Sequence, residues 1–243
     1  MTESGFDPDG LIDVLPDHRL IYVCVPKSAS TTIKSALSAL ERGVAAPPEA
    51  LHKRRCSGLR SPSQVGLSRF HRLASSAETL RFSFVRNPYA RLVSAWADKF
   101  QGKPLNARDS FIELYRTHCA TTGDFLPDDG NETLTFPQFV EFASATADRR
   151  INSHWQLQVD LLDMPGIKLD MVGKVETFRD DFARVLDHVG AGDRFRQLIG
   201  AALNRSQHRP WQDYYTDALA ARVHRAYERD FDTFAYARTI ARV

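Results

Sequence analysis

An α/β fold, with an open and mostly parallel sheet covered by helices on both faces, is predicted for this chain by three observations. Short apolar, β-branched runs alternate along the sequence with helical patterns. Two of those runs pass straight into helices through polar turns, VPKSASTT and VRNPYARLVS. The chain has 243 residues, enough to bury one large core, and no Gly/Ser- or Pro-rich linker divides it. One domain over 1–243 is expected, with residues 1–18 as an N-terminal extension.

The elements follow in order. RLIYVCVP, residues 19–26, is a buried strand that places Cys24 in the core. A helix runs from about Ser30 to Glu41 and stops near Gly43, with two prolines close behind. Residues 44–80 are expected to be an irregular, loop-rich insertion that carries the basic run HKRRCSGLRSPS. RFSFVR, residues 81–86, is the second strand, and Asn87 then caps a helix whose first position is Pro88. A second loop-rich insertion is expected over 101–135, with helical patterns near 108–119 and 136–147 and the acidic tip DFLPDDGNET between them. IKLDMVGKVE, residues 167–176, is the third strand. Thr177 opens the next helix, with Asp180 as its capping-box partner. The chain closes with helices over 191–203 and 214–230. Trp96 and Phe100, one helical turn apart, belong to the core, and burial is the default for Trp155 and Trp211.

Composition narrows the class. Hydrophobic residues make up 43% and charged residues 26%, with a net charge of +2. That balance gives no global signal for nucleic acid or a membrane surface. The 32 basic residues include only 7 lysines, an arginine bias that suits planar, multiply charged anions as well as a GC-rich genome. Cys24, Cys56 and Cys119 are odd in number and lack a CxxC pair, which argues against a disulfide framework and a zinc site. No leader pattern or membrane-length apolar run is present, so a reducing cytoplasm is expected.

The two strand-to-helix turns carry the chemistry. In an open parallel sheet, ligands bind beyond the carboxyl ends of the strands. The first amides of a helix lack intrahelical partners, and the dipole there favours an anion. Lys27, Ser28, Ser30, Thr31 and Thr32 at such a start exceed what capping needs, and they form a P-loop-like cradle without the GxxxxGK[ST] glycines. Arg86 ends the second strand, and Ser94 lies two turns into the following helix. Together they can hold a second anionic group, which suggests a nucleotide phosphorylated at both ends.

VPKSASTTIKSAL resembles the 5′-phosphosulfate loop, and FSFVRNPYARLVSAWADKF the 3′-phosphate motif, of sulfotransferases that use 3′-phosphoadenylyl sulfate (PAPS). SHWQLQ, MVGKVETFRDDF and the ending NRSQHRPWQDYY to AYERDFDTFAYA are similar to segments of the carbohydrate (Golgi-type) branch, so the resemblance spans roughly residues 19–237. It lacks that branch's membrane anchor and lumenal cysteine pairs. The resemblance implies direct in-line transfer of a sulfuryl group from PAPS to a hydroxyl of a carbohydrate-like acceptor, with no metal. It implies that Lys27 meets charge at the bridging oxygen and that Ser28, Ala29, Ser30, Thr31 and Thr32 hold the 5′-phosphosulfate. Arg86 and Ser94 take the 3′-phosphate, and Arg205 lies in a late loop that closes over the nucleotide. The insertions at 44–80 and 101–135 fall on the acceptor side.

The acceptor hydroxyl must lose a proton, and a histidine near neutral pKa suits that task. His71, in SRFHRLAS, is the first candidate, with His52 and His154 as competitors. Two other readings stand beside this one. An ATP-dependent P-loop phosphotransferase would require the absent GK[ST] and a magnesium-binding aspartate. A non-catalytic module would bind adenosine 3′,5′-bisphosphate (PAP) without turnover. The acceptor's identity and the oligomeric state are not encoded in these motifs.

Overall fold

The computed structural model describes residues 8–44, 51, 57–123, 132–149, 151–191 and 209–240. His52, Arg205, the acidic tip over 124–131 and all but the first residue of the helix expected over 191–203 lie outside the described residues. The main elements, in chain order, are β1 (Ile12–Leu15), β2 (Leu20–Val23), α1 (Ser30–Arg42), α2 (Leu67–Ser75), β3 (Leu80–Val85) and α3 (Pro88–Lys99). They continue with α4 (Ser110–Thr122), α5 (Phe136–Thr146), α6 (Gln158–Leu162), β4 (Met171–Lys174), α7 (Phe178–His188), α8 (Asp217–Ala226) and α9 (Glu228–Thr233). They divide into two compact units, one drawn from Met1–Arg86 and Gln158–Arg205, the other from Asn87–Leu157 and Ser206–Val243.

The first unit is the predicted α/β sheet with helices on both faces. Its strand order is β1-β2-β3-β4. β1 runs antiparallel to β2, while β2, β3 and β4 are parallel, with Tyr22 opposite Phe82 and Phe82 opposite Met171. Side chains alternate across the sheet as the two-residue period requires. Tyr22, Cys24, Phe82 and Phe84 face Ile33 and Leu37 of α1 and Phe178 and Phe182 of α7. Ile21 and Val23 turn the other way, onto Phe70 and Ala74 of α2, with Met164 and Ile167. Each fully buried aromatic or branched side chain contributes about 1.5–3 kcal/mol through removal from water. Gly173 of β4 admits this packing: a Cβ there would lie 2.6 Å from the Phe84 ring, whose neighbours Phe178 and Phe182 leave it nowhere to retreat.

Several sequence expectations require correction. Residues 12–15 are not part of an extension but the antiparallel edge strand, fully buried along IDVL. Its Asp13 is 1% exposed and pairs with Lys34 of α1 at 3.3 Å. Region 44–80 is not wholly irregular. Ser61 and Gln64 form a capping box over the turn Pro62–Val65, and α2 follows. Phe70, Leu73 and Ala74 of α2 fall at helical spacing and pack against the sheet. The third predicted strand shrinks to Met171–Lys174. The helix after it is tied by Asp181 rather than Asp180. Asp181 Oδ2 accepts from Thr177 Oγ1 at 2.6 Å and from the Lys174 amide at 2.9 Å. Thr177 is the N-cap as expected, but at the end of the 3-10 turn Val175–Thr177 its backbone lies outside the extended region and its side chain makes no cap bond.

The second unit is helical. Asn87 caps α3 as expected, accepting from the amides of Tyr89 and Ala90 with Pro88 in the first turn. Arg91, 1% exposed, donates to the carbonyls of Gln156 and Ser153, both at 2.7 Å. Those bonds spread its charge over two backbone dipoles. Trp155 has no exposure and sits among Phe100, Phe139 and Phe142, so burial accounts for it. Trp211 stacks on Tyr89 with the rings 8° from parallel. The span 101–135 is less loop-rich than expected, because Asp109 caps the 13-residue helix α4. Among the described residues no helix is long and apolar enough to cross a membrane.

Candidate anion-binding edge and its comparison with known proteins

β2 and β3 are parallel neighbours, so the segments that follow them leave the same edge of the sheet. The first segment is strained. Lys27 has φ of 69° and Ala29 φ of 59°, both left-handed and neither glycine. Residues held in this region cost on the order of 1–3 kcal/mol each, and their surroundings must enforce them. Alternating handedness of this kind turns backbone amides toward one concavity, a geometry suited to anions.

The hydroxyls of the turn do not cap α1. Its N-cap is Ala29, which has no side chain able to accept, and no side-chain cap bond forms. The start of α1 thus has no side-chain cap from its own N-cap residue, as a phosphate-binding turn allows. Ser28 is fully buried, with its amide donating to Val25 O at 3.3 Å and its hydroxyl to Gln158 Oε1 at 3.3 Å. Thr32 is 7% exposed, whereas Ser30 and Thr31 are half-exposed in the first turn. Ser30 also bonds the Cys24 thiol beneath the turn. Burial pushes that thiol's pKa up, against the nearby Lys34 charge, so Cys24 is a neutral thiol at pH 7.

The second segment begins at Arg86, whose Nη1 donates to Lys27 O at 3.4 Å. Its main-chain amide donates to Gln158 Oε1 at 2.9 Å, and its carbonyl accepts from Gln158 Nε2 at 2.9 Å. The first unit thus brings Lys27, Ser28, Ala29, Ser30, Thr31, Thr32 and Arg86 to one edge. Ser94, 7% exposed, lies in α3 of the second unit. Gln158, unassigned from sequence although it closes the quoted SHWQLQ segment, is the residue that joins the two turns. No periodicity marks a buried glutamine as a clamp, because its partners are 130 and 72 positions away.

The histidines are placed differently. His71 is exposed in the middle of α2, its ring beside Phe70. It is one turn from Ala74, whose carbonyl is held by Arg81 at the start of β3, so it is not brought to the Lys27–Arg86 edge. His154, in the second unit, is half-buried. Its Nδ1 meets Asn152 Oδ1 at 2.8 Å, and its own amide donates to the same oxygen at 3.0 Å. That oxygen is therefore an acceptor, and Nδ1 carries a hydrogen.

Comparison with known proteins identifies the class. The model of the sulfotransferase family matches residues 11–237, nearly the whole chain, and the chain belongs to that family. It is 32% identical over 193 residues to carbohydrate sulfotransferase 11 of Danio rerio, covering 74% of this chain and 53% of that protein. To the Mus musculus carbohydrate sulfotransferase 11 it is 29% identical over 237 residues, covering 90% and 65%. Carbohydrate sulfotransferase 14 of Homo sapiens shares 30% over 161 residues, with 64% and 42% covered. The chain thus spans about two fifths to two thirds of the length of these relatives. No solved structure matches it.

Proposed function

We propose that the protein transfers a sulfuryl group from PAPS to a hydroxyl of a carbohydrate acceptor. The observation that carries this reading is the Lys27–Arg86 pair of turns, stitched together at one sheet edge. Family membership and the carbohydrate sulfotransferase relatives support the donor and the acceptor class.

The uncapped start of α1 and the strained turn before it take the 5′-phosphosulfate, and Arg86 takes the 3′-phosphate. Ser94 keeps the role that its motif assigns, as a further donor to that phosphate. The acceptor oxygen forms a bond to sulfur as the bond from sulfur to the bridging phosphate oxygen breaks. Lys27 balances charge on that departing oxygen, PAP leaves, and the hydroxyl proton passes to a base. A single preorganised donor at such a position is worth about 10²–10³ in rate. Among the histidines, the surroundings of His154 suit a base best, because Asn152 accepts the hydrogen on Nδ1 and so orients the ring. His71→Ala is then expected to leave turnover intact, whereas His154→Ala lowers it by about 10²–10⁴.

No metal is assigned a role in this scheme, and a reducing cytoplasm is its proposed setting, in keeping with Cys24 and Cys119 as buried thiols rather than disulfide halves. The test is PAP release from PAPS in the presence of a panel of glycans and excess EDTA. Acceptor-dependent release that survives EDTA supports the proposal. Release from ATP instead, lost with EDTA, favours a phosphotransferase, and PAP binding without turnover favours a sensor module.

A further inference from the structure

We propose that Gln158 is the positioning residue that makes the 5′ and 3′ anion turns act as one site, an inference that rests on the nucleotide reading above. Its side chain has no solvent exposure. One carboxamide oxygen accepts from the Arg86 amide at 2.9 Å and from Ser28 Oγ at 3.3 Å. The carboxamide nitrogen donates to Arg86 O at 2.9 Å. The side chain thereby pairs with both main-chain groups of Arg86 as an adjacent strand would, one residue past the end of β3.

The same oxygen reaches the turn after β2. Ser28 sits between the two left-handed residues Lys27 and Ala29, so its bond holds the strained arch from within. Displacement of either turn must break or drag the carboxamide. A phosphate settling on one turn therefore also fixes the other, and the second phosphate binds to a part already in place. Arg86 contributes its own bond to Lys27 O at 3.4 Å, but that contact uses a guanidinium also needed by the ligand. The Gln158 contacts use main-chain atoms and the inward-facing Ser28 hydroxyl, and so remain available when the nucleotide is bound.

The experiment is calorimetric titration of PAP, 5′-AMP and 3′-AMP into wild-type protein, Gln158→Met, Gln158→Glu and Arg86→Ala. Methionine keeps the length without hydrogen bonding; glutamate keeps the shape and loses the donor to Arg86 O. In wild type, PAP is expected to bind more tightly than either monophosphate. In Gln158→Met both the PAP:5′-AMP and the PAP:3′-AMP affinity ratios should fall about fivefold or more, the effect of losing a net hydrogen bond at each turn. Arg86→Ala should lower only the first ratio. Ratios that hold within about twofold in a folded Gln158 variant, or a fall in only one, overturn the proposal while leaving the nucleotide reading intact. Wild-type protein that does not prefer PAP to 5′-AMP overturns the nucleotide reading itself. Should Gln158→Met fail to fold, Gln158→Glu is read by the same ratios; failure of both to fold makes Gln158 a fold determinant and withdraws the positioning role.

Discussion

The guanidinium of Arg86 touches the main-chain carbonyl oxygen of Lys27 at 3.4 Å, across the parallel neighbours β2 and β3. Two segments separated by almost sixty positions in sequence are thus within one hydrogen bond of each other. Their strands enforce this, because parallel pairing brings the carboxyl ends of both to the same edge.

Arg86 is expected to report on the 3′-phosphate alone. PAP should raise the melting temperature well above the value reached with 5′-AMP, and Arg86→Ala should erase that difference. A charge-assisted bond of this kind is worth roughly 1.5–3 kcal/mol. Thermal unfolding at matched ligand concentrations makes the comparison. Equal stabilisation of the wild-type protein by PAP and 5′-AMP would reassign Arg86.

Lys27 should separate chemistry from binding. PAP has already lost the sulfuryl group, so Lys27→Ala should lower kcat by about 10²–10³ and change PAP affinity much less. Turnover and calorimetry on the same preparation decide this. Parallel losses would make Lys27 a binding residue only.

Ala29 offers a test of the strained turn. Its φ of 59° suits glycine, so Ala29→Gly should not show the usual loss of an Ala→Gly change. Relief of a left-handed conformation is worth about 1 kcal/mol, which offsets the added freedom of the unfolded chain. Denaturant unfolding should therefore give a midpoint at or above that of wild type, whereas Ala29→Val should lower it.

Acid stability should depend on Asp170. Burial alone would raise its carboxyl pKa, but Arg81 outweighs burial and holds it lowered, through bonds of 2.6–2.8 Å from its side chain and amide. Because the folded-state value is depressed, the stabilisation is complete above the ordinary carboxylate pKa near 3.9. It is lost as pH falls through the folded value. Asp170→Asn should therefore narrow the stability difference between pH 6 and pH 3, as followed by thermal unfolding.

Where the chemistry followed directly from residue type and strand-to-helix order, the sequence was legible. Lys27 and Arg86 were readable as partners because each follows an apolar run. Asn87 was readable as a cap because Pro88 follows it. The missing elements depend on three-dimensional pairing. β1 is only four residues long and its IDVL includes a charge, so Asp13 obscures a strand that Lys34 makes tolerable. Gln158 has no local signature, since its role lies in two main-chain groups and a hydroxyl far along the chain. His71 precedes β3 in sequence, but it sits within α2, whose end is tied to the start of β3, away from the carboxyl edge.

The edge strand bears on how the protein should be cut for expression. A fragment beginning at Arg19 would retain every motif that resembles the family, yet it would strip the outer partner from β2 and orphan Lys34 in a dry interior. An uncovered, wholly apolar LIYV border invites strand-by-strand self-association, so such a fragment should accumulate in inclusion bodies while one retaining Ile12–Leu15 stays dispersed.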